Sequence, residues 1–298
     1  MRASLIAPSV SVVICTRNRP VDLSRCLSSL ATLSPPAAEV IVVDQGDSPT
    51  LLPISEAIPG LQHHFVRERG LSRARNLGIT LSRGDLVAFL DDDCTVDRSW
   101  VGDVAAVFER HPSAGMVFGS VADGVHDRDQ YVPTYAVAGE RTLRGRLAAV
   151  GAHGIGAAMY LRRALAQSVG DFDVRLGAGG EFHSSEDWDY TLRMLSAGHS
   201  VVETPAVHVL HHGGRSYADG SAATMLRWNA LSHGVVHTKL LRRKDPVGAL
   251  LVLAELWSCV RLLRPLAALR GRPTNAGRLV SYANGLVAGL RVPLQRSA

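Results

Sequence analysis

Apolar positions along this chain follow two alternating rhythms. Ser11-Val12-Val13-Ile14-Cys15 and Glu39-Val40-Ile41-Val42-Val43 are short β-branched runs without polar alternation. Such runs fit strands buried on both faces of a parallel sheet. Between them Leu23, Cys26, Leu27, Leu30 and Leu33 recur at helical spacing behind Pro20, and Pro35-Pro36 ends the helix. Strand, helix, strand in this order predicts a right-handed βαβ unit. The rhythm continues with a third strand at His64-Phe65-Val66 and a helix from Ser72 to Leu81 that turns Ala74, Leu77 and Leu81 inward. Gly84 breaks that helix, and Leu86–Leu90 is the fourth strand. Trp100, Val101, Val104, Val107 and Phe108 predict another helix, and Met116-Val117-Phe118 another strand.

Elsewhere the pattern is weaker. Residues 46–62 are rich in Pro, Ser and Gly, with a short helix expected near Ile54-Ser55-Glu56-Ala57. Residues 121–150 lack periodicity and read as a flexible, substrate-facing excursion. Regular structure returns at Ala157–Leu165, in a helix over Glu186–Ala197 ended by Gly198, and in a strand at Ser200–Glu203. From about 221 the pattern is helical. The expected fold class is α/β, a mainly parallel central sheet flanked by helices over 1–215, with a helical extension over 216–298.

Composition narrows the setting. The chain has 298 residues, 46% hydrophobic and 20% charged, an ordinary globular balance. No run of about 18 apolar residues lacks charge, so no membrane-spanning helix is predicted. The N-terminus does not read as a signal peptide. Cys15, Cys26, Cys94 and Cys259 show no CxxC spacing and read as reduced thiols of a cytoplasmic protein. The net charge of +5 is uneven: residues 239–298 hold 11 Lys or Arg against Asp245 and Glu255, a balance of +9. Such a tail suits an anionic surface, although solvated helix faces would look the same. Within it, Pro246–Arg270 is mostly apolar, with Glu255, Ser258, Arg261 and Arg264 in one narrow polar stripe. The stripe fits a core helix, a homo-oligomer contact, or a helix lying at the inner face of a membrane. The basic residues are not interleaved with aromatics, so nucleic acid is not an expected partner.

The candidate chemistry centres on Phe89-Leu90-Asp91-Asp92-Asp93-Cys94. Three adjacent carboxylates at a strand end repel one another. A divalent cation, Mg²⁺ or Mn²⁺, relieves that repulsion and commonly holds a substrate diphosphate. A solvated acidic turn is the plainer alternative. In an open α/β sheet, ligands bind at the carboxyl ends of the strands, which here carry Thr16 to Asn18, Asp44 and Asp91 to Asp93. No GxGxxG follows the first strand, and Gly154-Ile155-Gly156-Ala157-Ala158 lacks the third glycine, so a dinucleotide fold is not expected. Glu186-Asp187 falls in the first turn of a predicted helix, with Ser184 and Ser185 as caps. Helix N-terminal N–H groups favour an ionised carboxylate, fit to accept a proton. Farther on stand His208, His211 and His212.

In chain order these segments resemble the family 2 glycosyltransferases, which have the GT-A fold. The resemblance runs through Ser11–Pro20, Val42–Ser48, Gly70-Leu71-Ser72-Arg73-Ala74-Arg75-Asn76-Leu77-Gly78, the Asp91–Asp93 triplet, and Gly170-Asp171-Phe172-Asp173 followed by Glu186-Asp187. It implies an inverting transfer of sugar from a nucleotide diphosphate sugar to an acceptor hydroxyl. Thr16 and Asp44 would meet the nucleoside, Asp44 at the base edge, and Arg75 would lie near the phosphates. Asp91 would touch the ribose or a water. Arg17, Asp92, Gly156 and Glu186 are expected on the same nucleotide-sugar side. Asp93 and His211 would ligate the metal, and Asp187 would be the general base. Gly213 and Gly214 would let the backbone fold close to the phosphates. Cys15 and Gln45 depart from the family pattern, and Gln45 leaves the base open. Thr224-Met225-Leu226-Arg227-Trp228 lacks the Gln of the QxxRW of processive synthases, which argues against processivity. A nucleotidyltransferase would need glycine in the turn Thr16-Arg17-Asn18-Arg19-Pro20, and a non-catalytic sugar-nucleotide-binding module would need neither the metal-binding residues nor the base.

Overall fold

The computed structural model describes residues 7–50, 57–124, 126, 129–261 and 275–294. Its centre is a nine-stranded sheet. Four parallel strands lie in the order β3 (Leu61–Phe65), β2 (Glu39–Asp44), β1 (Val10–Thr16), β4 (Leu86–Asp91). Beyond β4 come β9 (Met159–Arg162), antiparallel to its neighbours, then β6 (Ala114–Asp123), β10 (Ser200–His211) and the short β5 (Cys94–Thr95). The mainly parallel α/β sheet expected from the apolar runs is present.

Burial on both faces explains why those runs lack alternation. Val12 and Ile14 of β1 pack with Leu23 and Leu27 of α1 (Pro20–Leu30) and with Val104 and Phe108 of α3 (Trp100–Arg110). Val13 points the other way, into a cluster with Ala74 of α2 (Leu71–Leu81), Phe172, and Tyr190 and Leu195 of α5 (Glu186–Ser196). The helix α4 (Arg163–Val169) closes the same face.

Several elements differ from the pattern reading. The third strand starts at Leu61 and stops at Phe65, and as an edge strand it is only half buried. The inward face of α2 is Ser72, Ala74, Arg75 and Gly78, while Leu77 and Leu81 are partly buried. The reason is close approach. A Cβ on Gly78 would lie 2.3 Å from Val13 Cγ1, so small residues face the sheet there. The segment 121–150 is irregular only in part of its described residues. It holds β7 (Gln130–Tyr131), paired with β11 (Arg215–Ser216), and β8 (Arg141–Leu143), paired with β10. These strands are too short to leave a periodic signal, and long-range contacts hold them. Buried Glu203 accepts hydrogen bonds from the Tyr135 hydroxyl (2.5 Å), Arg141 Nε (2.6 Å) and the His153 amide (2.9 Å). Strand β10 runs eight residues past Glu203; Pro205, which has no N–H, falls where its register with β6 shifts. The short helix expected near residues 54–57 lies outside the described residues except for Ala57.

Three helices follow: α6 (Ser221–Arg242), α7 (Pro246–Arg261) and α8 (Asn275–Arg291). The first is fused to the core of the sheet. Val235, Val236 and Leu240 share the cluster that holds Phe172 and Tyr190. Buried Lys239 bonds Asp173 (2.9 Å) and Asp189 (2.6 Å). Arg175 and Arg193 cap the same two carboxylates from outside. One basic residue of the tail is thus internal, and another, Arg278, pairs with Glu255. The polar stripe's Arg264 lies outside the described residues. Among the described residues no helix is long and apolar enough to cross a membrane.

Candidate active site

Strand register assembles the site. Thr16 at the end of β1 lies opposite Asp44 on β2, and Cys15 lies opposite Asp91 on β4. Residues far apart in sequence therefore share one carboxyl edge of the sheet. A cavity of about 400 Å³ opens there, lined by Thr16, Arg17, Asp91, Asp92, Asp93 and His211 among others.

The triplet divides its labour. Asp92 accepts from Thr16 Oγ1 (2.7 Å) and Arg19 Nη1 (3.1 Å), and Arg19 Nη1 also donates to Asp93 Oδ2 (2.9 Å). Burial pushes the Asp92 carboxyl up to about 6, with Arg19 and Thr16 opposing. The pairing of β10 with β5 sets His211 beside Cys94 and turns it inward, its Nε2 3.3 Å from Asp93 Oδ1. His212 points elsewhere and meets Thr95 Oγ1 at 2.9 Å. Asp93 Oδ1 and His211 Nδ1 are buried without a hydrogen-bond partner. A Cβ on Gly213 would lie 2.0 Å from Asp93 Oδ2, so only glycine leaves room for that carboxylate in its present position. Asp93, Cys94 and His211 offer ligand atoms within 4.8 Å of one another. A hard cation suits the carboxylate and imidazole of that set and not the thiol. His208 stays outside the site, paired with Asp97 at the surface.

Behind the cavity wall lies a buried ionic hub. Arg75, only 2% exposed, bonds Glu186 Oε1 through Nη1 (2.7 Å) and reaches Asp91 Oδ1 through Nη2 (3.6 Å). Burial opposes its charge, but Glu186 and Asp91 more than restore it. The Phe89 and Phe172 rings flank the guanidinium at 5.4 and 5.8 Å. Next to it, Asn76 exchanges two backbone hydrogen bonds with Phe172 (2.8 and 3.0 Å). The Ala74-Arg75-Asn76-Leu77-Gly78 stretch is therefore a clamp joining the sheet to the 170–187 segment. Arg75 does not reach the cavity surface where phosphates would lie, because its two carboxylate partners hold it inside.

Asp187 stands on the far side of this hub. Its Oδ2 accepts from the Gly156 amide (2.8 Å) and its Oδ1 from the Trp188 amide (2.7 Å). Burial raises its carboxyl above the usual aspartate range, with Arg75 and these two amides opposing. Ser184 and Ser185 do not cap α5: the Ser184 hydroxyl donates to Asn229, and Ser185, at φ 68, leaves its buried Oγ unpartnered. The Asp187 carboxylate itself meets the amide of Trp188, the third residue of α5. Gly156 is thus a backbone anchor for Asp187, and a Cβ there would lie 2.6 Å from Arg75 Nη2. Asp187 borders a second cavity of about 560 Å³ under α6, α7 and α8, and Pro133 lines both cavities.

Asp44 lies outside both linings. It is fully buried, and its carboxylate accepts from the Gly46 amide (2.9 Å) and the Thr50 amide (2.7 Å) and meets His63 Nε2 (3.0 Å). Its neighbour Gln45 does line the first cavity. The sequence reading missed Arg19, Trp188 and His237. Only Arg19 left a trace, as a cation in the turn that follows the first strand.

Comparison with known proteins agrees with this architecture. The family model described as Glycosyl transferase family 2 matches residues 11–170. A pre-mycofactocin glycosyltransferase of Mycobacterium tuberculosis is 30% identical over 213 residues, which are 68% of this chain; the chain spans 42% of that protein's length. Staphylococcus aureus TarS 1-349 in complex with UDP-GlcNAc superposes with a TM-score of 0.61 over 96% of this chain and 82% of its own, at 16% identity. A mannosyltransferase of Pyrobaculum calidifontis in complex with GDP-Man and Mn²⁺ superposes with a TM-score of 0.59 over 95% and 88%, at 15% identity. The family model covers more than half of the chain and contains the strand edge, the Asp triplet and the Arg75 clamp described above: the chain belongs to the family 2 glycosyltransferases.

Proposed function

We propose that this chain transfers a sugar, with inversion, from a nucleotide diphosphate sugar to an acceptor hydroxyl. One observation carries the reading: Arg75 ties Asp91, at the edge of the first cavity, to Glu186, which precedes Asp187 at the edge of the second. The donor diphosphate belongs in the first cavity, beside Thr16, Arg17 and Asp91. Asp93 and His211 would hold Mn²⁺ or Mg²⁺ there. The bound cation would offset negative charge on the departing diphosphate. Asp187 takes the proton from the acceptor hydroxyl. The acceptor oxygen bonds to the anomeric carbon as the bond from that carbon to the diphosphate oxygen breaks, and the nucleoside diphosphate leaves with the electron pair. Asp187 is suited to this task because burial makes it a stronger base than a free aspartate while the two amides fix its orientation. Glu186 stays paired with Arg75 and acts by positioning.

A thermal-shift screen of UDP and GDP, with and without Mn²⁺, tests the donor side. Mn²⁺ should deepen the stabilisation by one nucleotide, and Asp93→Ala should remove that increment while the protein still melts cooperatively. Full catalytic activity in EDTA contradicts the cation assignment.

The outer faces of α7 and α8 also bear on partners. Leu253 (63% exposed) and Trp257 (67%) on α7, and Val280 and Leu290 on α8, are exposed apolar side chains in a tail of charge +9. This combination suits an anionic lipid surface, where the acceptor or product would be encountered.

A further inference from the structure

We infer that the second cavity, roofed by α6, α7 and α8, seats an uncharged, hydroxyl-bearing ring as the acceptor. This rests on reading Asp187 as the base. Among the described residues, five buried side-chain polar atoms lack a hydrogen-bond partner, and four of them line the two cavities. Asp93 Oδ1 and His211 Nδ1 belong to the first. Ser185 Oγ and His237 Nε2 belong to the second, on the same cavity wall as Asp187. Burying such atoms unpaired is costly, so the pair on the residues lining the second cavity points to a ligand there that satisfies them.

The cavity's chemistry selects the ligand. His237 lines the cavity and is 1% exposed; its Nδ1 is bonded to the Tyr282 hydroxyl at 2.7 Å, and its Nε2 has no hydrogen-bond partner. The Trp188 ring stands beside the His233 and His237 rings, with centroids 4.9 and 5.0 Å apart, and gives an aromatic wall for a ring. Burial holds both imidazoles uncharged, His237 down to about 3. Among the described residues the one arginine on the wall, Arg278, sends Nε and Nη2 to Glu255 Oε1 at 3.0 and 2.7 Å, so its charge is already matched. A phosphorylated or carboxylated acceptor would meet no unmatched cation among the lining residues and would face Asp187. A neutral sugar or phenol ring would find hydroxyl partners and an aromatic face. The volume of about 560 Å³ is ordinary for a small-molecule site.

Saturation-transfer NMR on the full chain tests this with phenyl β-glucopyranoside and its 6-phosphate as probes. The neutral glycoside should show saturated ring protons and bind at least about tenfold tighter than the phosphate ester, equal to losing one or two hydrogen bonds. His237→Phe and Trp188→Ala should each weaken the neutral probe by about three- to tenfold. Equal or tighter binding of the phosphate ester, no saturation from the neutral probe, or undiminished saturation in both variants overturns the inference. The comparison of probes on the unaltered protein stands even where a variant misfolds. The nucleotide-and-Mn²⁺ thermal shift, read on the same sample, reports the donor side separately. A protein that passes it and refuses the neutral ring sinks this inference alone.

Discussion

At the scale of the residue, the account turns on where each carboxylate finds its partners. Asp91 faces Arg75, Asp92 takes Thr16 and Arg19, and Asp93 keeps one oxygen open toward His211. One apolar run ending in three acids is thus resolved into three environments by neighbours that only folding supplies. Asp187 shows the same dependence. Burial raises its carboxyl above the ordinary aspartate range, and a base must be deprotonated to act. Turnover should therefore fall as pH drops through that raised value. A kcat–pH profile with an acid limb above the ordinary aspartate range, near 4, checks this. A flat profile down to that range would contradict the assignment. The acidic triplet and Glu186-Asp187 stood out in the sequence because charge at a strand end or helix start is conspicuous. The matched state of Asp44 and the inward position of Arg75 did not, because backbone amides and distant partners cancel their charge.

At the scale of the element, the structure explains why short motifs have their composition. In α2, Ala74, Arg75, Asn76 and Gly78 each do a different job: packing, ion pairing, backbone clamping and close approach to Val13. Helical periodicity finds the helix and misassigns its inward face, since a buried arginine reads as polar. The strands β7 and β8 escaped notice for another reason: at two and three residues they have no period, and β10 and β11 hold them. The seam between α5 and α6 rests on Lys239, shared by Asp173 and Asp189. Lys239→Met should cost about 3 kcal/mol, because two buried carboxylates then lose their common cation. Both carboxyls sit below their ordinary range: burial opposes this, and Arg175 and Lys239 for Asp173, or Lys239 and Arg193 for Asp189, outweigh it. The sign follows. Their stabilising effect is present above the unfolded carboxylate range and is lost as pH falls through the lower folded values. Urea melts of the variant and parent at neutral and acid pH measure this. The gap between the two should narrow on acidification, and an unchanged or wider gap would rule the seam out as a source of stability.

At the scale of the whole molecule, a GT-A sheet supplies one cavity and the C-terminal helices roof a second, with Pro133 and the Arg75 hub between them. The sheet was legible because each buried strand is a continuous apolar run. The helices beyond residue 221 were legible as helices, but not as the roof of a cavity, because they contribute His233, His237 and Arg278 across long sequence gaps. The outward apolar face of α7 and α8 yields its own expectation. The protein should cosediment with vesicles containing anionic lipid and much less with neutral ones, and Leu253→Asp with Trp257→Asp should abolish the difference. A lipid-independent dimer disrupted by the same pair would assign the face to self-association instead. The central claim is a division of labour, with donor held at one cavity and acceptor activated at the other. Asp187→Asn separates the two in a single preparation. Nucleotide-and-Mn²⁺ stabilisation should match the parent, while nucleoside diphosphate release from the sugar donor in the presence of hydroxyl acceptors should drop by about a hundredfold or more. Near-parental turnover, or nucleotide binding lost along with it, would contradict the account.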